Sequence, residues 1–360
     1  MGYGSVRKLL LPASLFLLGL TGLLGVVLLD QFYWQTGINY EGAPDLSPSH
    51  LVRSIMILLS VVLLFTGIRG TRAPQLELSE GHSTLLVWAS TVGILFLALL
   101  FPVMLIASPG LFNTLSMEDG PVESLSVVLY FFCALIFTLI CIRCHRSATV
   151  YGRGCWVFAV PAVVFFVLGM EEISWFQRQL DIETFGIFKD NEQEEINLHN
   201  FYTEVLETAY YFAAFLFLVV LPFIRAFYPV LAANRYLAIL LPLQFISVVG
   251  AIACAYNYDM WNIVFIQIAF FGSIVILWIM ARHSGTRSES VVLGAAIVVM
   301  VTTQALFLLG GDNLVRVWEV TEYRELFIPL ALFFYSLGVY GQVVGVNLAS
   351  VPAGMTRKHR

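Results

Sequence analysis

CWVFAVPAVVFFVLGM, residues 155–170, holds sixteen residues without a charge and runs directly into EEISWFQRQL, residues 171–180. Its apolar positions do not alternate with polar ones, so no half-buried strand fits. As a helix rising about 1.5 Å per residue it covers about 24 Å, a little less than the roughly 30 Å hydrocarbon core of a bilayer. Whether the run is a membrane helix or a buried core helix depends on the rest of the chain.

The rest of the chain settles it. Of 360 residues, 59% are hydrophobic and only 12% charged, and the mean hydropathy is +0.84. Soluble globular domains carry about twice that share of charge. Ten apolar windows recur, at 9–29, 51–68, 84–107, 122–142, 155–170, 204–224, 237–255, 262–281, 291–309 and 326–346. The expected fold is all-α: a polytopic transmembrane helical bundle of about ten helices forming one integral-membrane domain over 1–360. The first window continues into Asp30 and lacks a small-residue cleavage site, so it reads as a retained helix.

Charge orients the bundle. With the N-terminus and C-terminus cytoplasmic, 14 of the 19 basic residues fall in inner segments, while Glu77, Glu80 and Glu289 are the only acids there. That asymmetry follows the positive-inside rule. The net charge of −5 therefore combines a basic inner face with an acidic outer one. The basic residues are scattered and form no stripe, which excludes nucleic acid as a partner. The five cysteines lie in or beside helices, so no disulfide framework is expected outside. CIRCH, Cys141 to His145, matches the pattern for covalent haem attachment, but that attachment occurs outside the cytoplasm and this motif falls inside. No haem is expected.

Most outer carboxylates have an ordinary explanation. Glu118, Asp119, Glu123, Glu204, Glu207, Glu319, Glu322 and Glu325 stand at the starts of helices, where free N–H groups and the helix dipole favour negative charge. Glu171 and Glu172 stand at a helix end, where the dipole disfavours them. At 100° per residue Glu171, Ser174, Trp175 and Arg178 share a stripe, so Arg178 is expected to neutralise Glu171 and leave Glu172 for another task.

The extracytoplasmic loop, 171–203, then closes with INLHN. His199 is the one histidine of six inside an acid-rich outer segment near helix starts, flanked by Asn197 and Asn200, which can cap a helix or bond a sugar hydroxyl or phosphate.

EEISWFQR, Glu171 to Arg178, and NEQEEINLHN, Asn191 to Asn200, together resemble a family of bacterial inner-membrane proteins of unassigned function with the pattern E-E-I-S-W-G-Q-R and, some twenty residues on, N-x-Q-G-E-x-N-L-H-N. The resemblance covers about thirty residues and implies a multi-pass protein of the bacterial inner membrane. It implies no reaction. The chain departs from the pattern at Phe176 and Glu194, where the family carries glycine. Two better understood families do not fit: the prenyl-processing proteases place the arginine of E-E-x-x-x-R two residues earlier, and the ceramidase-like hydrolases use several histidines around zinc.

The expected site therefore gathers Glu171, Glu172, His199 and Asp119 as catalytic groups, with Arg178, Ser174, Trp175, Asn197 and Asn200 binding substrate. Glu172, His199, Asp119, Glu204 and Glu207 form the candidate set for a divalent metal ion, since carboxylates and one imidazole suit a hard or borderline cation. The expected function is an enzyme acting on a lipid or lipid-linked substrate at the outer interface, by hydrolysis or group transfer, with Arg178 gripping a phosphate and membrane lipids as partners. A cation-dependent transporter or channel and a scaffold are the alternatives. The scarcity of ionisable residues in the span centres, and the lack of obvious discontinuous helices, speak against the transporter.

Overall fold

A computed structural model describes residues 3–34, 41–72, 76–78, 84–146, 155–190, 195–198 and 201–349. The regular structure among them is helical, apart from one isolated parallel bridge between Leu76 and Ser284. The helices are α1 (Tyr3–Leu29), α2 (Pro48–Arg69), α3 (Thr84–Ala107), α4 (Pro109–Leu115), α5 (Pro121–Arg146), α6 (Trp156–Glu172), α7 (Thr203–Phe215), α8 (Leu221–Phe227), α9 (Arg235–Leu240), α10 (Gln244–Ala253), α11 (Val264–His283), α12 (Arg287–Gly310) and α13 (Glu319–Ala349). A π-helical turn, Leu216–Val220, joins α7 to α8.

Eight helical stretches are long and apolar enough to cross a membrane: Leu10–Trp34, Pro48–Arg69, Val87–Ala107, Pro121–Arg146, Thr203–Phe227, Val264–His283, Arg287–Asn313 and Glu319–Val343. The protein is a multi-pass membrane protein of helical class. Two of the ten expected windows fall short of that length. Residues 155–170 become α6, 17 residues long and about 26 Å at helical rise. Residues 237–255 do not form one helix at all. They divide into α9 and α10 around Pro242, because the residue before a proline is driven from helical to extended backbone and Leu241 takes φ −71°, ψ 127°.

This break corrects the expectation that discontinuous helices are lacking. All ten residues of α10 are buried. It packs against α13, α3, α11, α8 and the π-helical turn, at the centre of the bundle. α1 is the opposite case, an edge helix with many exposed leucines that is held to α2 by small residues. A Cβ on Gly19 would stand 2.5 Å from the Leu64 nitrogen and 2.6 Å from the Ser60 carbonyl oxygen, so only glycine allows this backbone approach.

One end of the bundle is basic and the other acidic, as the charge pattern requires. At the basic end Arg69 meets His283, the Arg72 guanidinium lies 4.1 Å from the centre of the Tyr228 ring, and Arg225 donates to the Leu241 carbonyl. At the acidic end Arg53 and Asp30 form a fully buried ion pair at 2.7 Å, and Arg53 also donates to the Asn262 carbonyl at 2.6 Å. Asn262 ties down the segment before α2, accepting from the Asp45 N–H and donating to the Ala43 carbonyl, while the Gly42 N–H donates to the Asp259 carbonyl. These bonds carry Glu41 and Asp259 to the mouth of the bundle.

Candidate functional site

α6 stops at Glu172, and the chain then reverses through three consecutive residues with left-handed backbone: Ser174 at φ 44°, Trp175 at 56° and Phe176 at 63°. The turn lays the first half of the sequence signature against the second. Ser174 Oγ donates to Glu195 Oε2 at 2.6 Å, and Asn197 Nδ2 donates to both of those oxygens at 3.1 and 3.0 Å. The Ile196 N–H donates to Gln177 Oε1, and Gln177 Nε2 donates to Thr184 Oγ1 at 2.7 Å.

Arg178 and Glu171 are not paired, contrary to expectation. Arg178 instead bonds Glu195, Asp119 at 2.9 Å and Glu118 at 3.5 Å. Burial alone would lower the guanidinium pKa, but the bonds to Asp119 and Glu195 and their charges raise it above its ordinary value. Glu171 accepts from Trp175 Nε1 at 2.8 Å and from the Leu198 N–H at 2.7 Å. The reason lies in the backbone: the helix ends before Ser174, so the i, i+4 stripe that would bring Arg178 over Glu171 does not continue. Much of the signature is thus a brace that fixes the loop.

Beneath this brace is a polar cavity of about 320 Å³. Four helices converge on it, contributing Glu123 from α5, Glu172 from α6, Glu207 from α7, and Glu322 and Glu325 from α13. Loops add Glu41, Glu118, Glu195 and Asp259. Arg178 is the only basic side chain among the described residues that lines it.

Several of the carboxylates are held. Glu123 accepts from the Asp119 N–H, Glu325 accepts from the Tyr211 hydroxyl at 2.5 Å, and Asp259 accepts from Thr321 Oγ1 at 2.8 Å. Burial raises the Asp259 pKa, while the nearby Arg324 charge and the Thr321 bond oppose the rise. Glu172, Glu207 and Glu322 make no hydrogen bond or ion pair among the described residues. Below them the hydroxyls of Tyr130 and Tyr210 bond each other. Arg324, also buried, donates through Nε to the Tyr256 carbonyl at 2.9 Å, bonds Asn257, and lies 4.5 Å from the Tyr211 ring centre. Asn257 is fixed in turn by Gln304.

Glu172, Glu207, Arg178 and Asn197 therefore line one cavity, with Asp119 and Ser174 bonded to its lining residues. Glu171 and Trp175 bond each other outside it, and Glu204 is exposed in the first turn of α7 without lining the cavity. His199 and Asn200 lie outside the described residues.

The expected metal set is not assembled among the described residues: no three His, Cys, Asp or Glu side chains come together there as ligands. Asp119 is engaged by Arg178, and Glu204 lies off the cavity. The CIRCH stretch lies in the last turns of α5, toward the opposite end, with Cys144 buried and His145 Nδ1 3.9 Å from Cys155 Sγ.

In sequence Glu322 and Glu325 look like ordinary helix-start acids. Their spacing of three, on a helix that also carries the buried Arg324, was the available signal, since i and i+3 share a face. Glu41, Glu195 and Asp259 gave no comparable sign, because each reaches the cavity through loop packing. Comparison with protein-family models, with curated proteins and with solved structures gives no match.

Proposed function

We propose that this protein is an enzyme of the bacterial inner membrane that acts on a lipid or lipid-linked substrate at the extracytoplasmic face, by hydrolysis or group transfer within the acidic cavity. In this reading both termini are cytoplasmic, and α6 and the α9–α10 pair complete ten crossings. The observation that carries it is the convergence of Glu172, Glu207 and Glu322 from three helices, without hydrogen-bond or ion partners among the described residues, on one cavity of about 320 Å³. Carboxylates gathered in one recess can divide the roles of proton donor and proton acceptor. Exposed Trp175, Phe176, Tyr202 and Trp318 stand at the same end, which supports a head-group depth for it.

The role expected for Arg178 changes. Its guanidinium already engages three carboxylates, which leaves it little to offer a phosphate, and the remaining lining is acidic. A neutral or amine-bearing head group suits the cavity better. Exchange of Glu172 for Gln tests the reading. Loss of the cellular phenotype and of head-group turnover, followed by lipid mass spectrometry at normal membrane insertion, is the expected result; full activity removes its centre.

One observation favours a transporter as the second reading. The broken α9–α10 element and the π-helical turn at Leu216–Val220 lie side by side in the bundle core, and interrupted helices are where transporters bind and pass solutes. Cation-dependent flux in liposomes, abolished by the same Glu172 variant, would replace the enzyme reading with this one.

A further inference from the structure

We propose that a lateral groove between α5 and α6 seats the hydrocarbon chain of the lipid whose head group enters the acidic cavity. This rests on the reading of that cavity as a site for a lipid-linked substrate.

The groove has a volume of about 330 Å³ and is lined by Phe131, Ala134, Leu135 and Thr138 of α5 with Ala162, Val163 and Phe166 of α6. Its floor is two alanines, each 8% exposed, and its walls are open: Leu135 is 50% exposed, Val163 61% and Phe166 47%. The shape follows from residue size. At Gly169 the two helices touch, since a Cβ there would stand 3.1 Å from the Phe131 ring and 3.2 Å from Tyr130 Cβ. Just below, the Phe131 and Phe166 rings meet at 5.9 Å between centres, and beyond them the alanines leave the space unfilled. The one polar group, the Thr138 hydroxyl, donates its proton to the Ala134 carbonyl at 2.8 Å and has no donor left for a ligand.

Position decides the occupant. Ala134 stands thirteen residues past the start of α5, about 20 Å along the helix, within a hydrocarbon layer of about 30 Å. A cleft at that depth meets chains, not water or head groups. The same two helices carry Glu123 and Glu172, and Glu172 is only six residues, about 9 Å, beyond Phe166. A lipid lying along the α5–α6 seam with its chain over the alanines would pass outside the Gly169 contact and extend its head toward the acidic end of the same two helices. A built groove of this kind gives a substrate a fixed approach that an even helix surface would not.

The test is photo-cross-linking in vesicles of phosphatidylethanolamine containing a trace of the same lipid with a diazirine on its acyl chain, with adducts mapped by mass spectrometry. Adducts are expected on Leu135, Val163 and Phe166 at several times the level on Leu17 and Leu18, exposed positions on α1. Ala134→Trp and Ala162→Trp should reduce groove adducts at least about fivefold and leave the α1 adducts unchanged. Should either fail to insert, Thr138→Trp narrows the groove from its exposed lip and should act likewise. Equal labelling of the groove and α1 in the wild type overturns the proposal, as does a disulfide between two copies through Leu135→Cys, which would make the seam a contact between chains. Groove labelling that persists in a Glu172→Gln protein retaining full activity keeps the chain site while removing the cavity reading. Even labelling beside a dead Glu172→Gln variant does the reverse.

Discussion

Arg178 and Glu195 stand seventeen residues apart in sequence and form an ion pair that closes the loop over the cavity. The pair joins the two halves of the sequence signature, and Glu195 is anchored independently by Ser174 and Asn197. Replacement of Arg178 by Ala leaves Asp119 and Glu195 without their cation. The expected loss is about 1.5–3 kcal/mol, the range for hydrogen bonds to charged groups. Thermal unfolding in detergent measures it, and faster proteolysis within 177–198 should accompany it. Arg178→Lys should recover little, because a single ammonium does not reproduce a guanidinium bonding three carboxylates. Unchanged stability in the Ala variant would mean that the brace does not hold the loop.

The backbone at Phe176 has φ 63°, a region that costs most residues about 1–2 kcal/mol and glycine far less. The resembling pattern carries glycine at this position. Phe176→Gly should therefore raise stability by about 0.5–1 kcal/mol after the extra chain entropy of glycine is subtracted. A melting temperature that falls would show that the ring packing of Phe176 outweighs its backbone strain.

Asp30 and Arg53 are both about 1% exposed, so removal of one charge strands the other. Asp30→Leu alone and Arg53→Leu alone are each expected to lose about 3–5 kcal/mol, while the double variant should regain a large part of it. A double-mutant cycle on detergent-solubilised protein reads the coupling. Additive losses would show that the two charges act separately, through other partners such as the Asn262 carbonyl bonded by Arg53.

Asp259 gives a pH dependence with a definite sign. Burial raises its folded pKa above the ordinary 3.8, so the folded state binds the proton more tightly than the unfolded one. Its contribution to stability is complete below 3.8 and is lost as pH rises through the folded value. Asp259→Asn retains an oxygen for Thr321 and removes the titration. The variant should thus be more stable than wild type at pH 7, with the gain shrinking as pH falls toward 4. Parallel melting curves against pH would contradict this.

Membrane placement was legible because hydrophobicity and helix length are properties of contiguous residues, and a bilayer tests them one segment at a time. The anomaly of Glu172 was legible for a similar reason: helix polarity follows from chain direction, and a carboxylate at a helix end stands out. The division of the seventh window is harder to see in sequence, since Pro242 is a single proline within an apolar run. The surroundings of α10 show what makes the break tolerable, because the bundle buries all ten of its residues.

What Arg178 bonds was decided elsewhere. Helical periodicity assigned it to Glu171, but the left-handed turn at residues 174–176 ended that periodicity, and Glu195 from a distant loop took its place. The cavity is likewise a tertiary object. Glu41, Glu195 and Asp259 enter it through loop-to-loop bonds, and Glu123, Glu172, Glu207, Glu322 and Glu325 share it because four helix ends meet at one depth. The sequence by itself determined a chain that must span a membrane and an acidic face at one side of it. Which acids stand together was left to packing, since electrostatic interaction depends on separation in space and a linear order does not contain it.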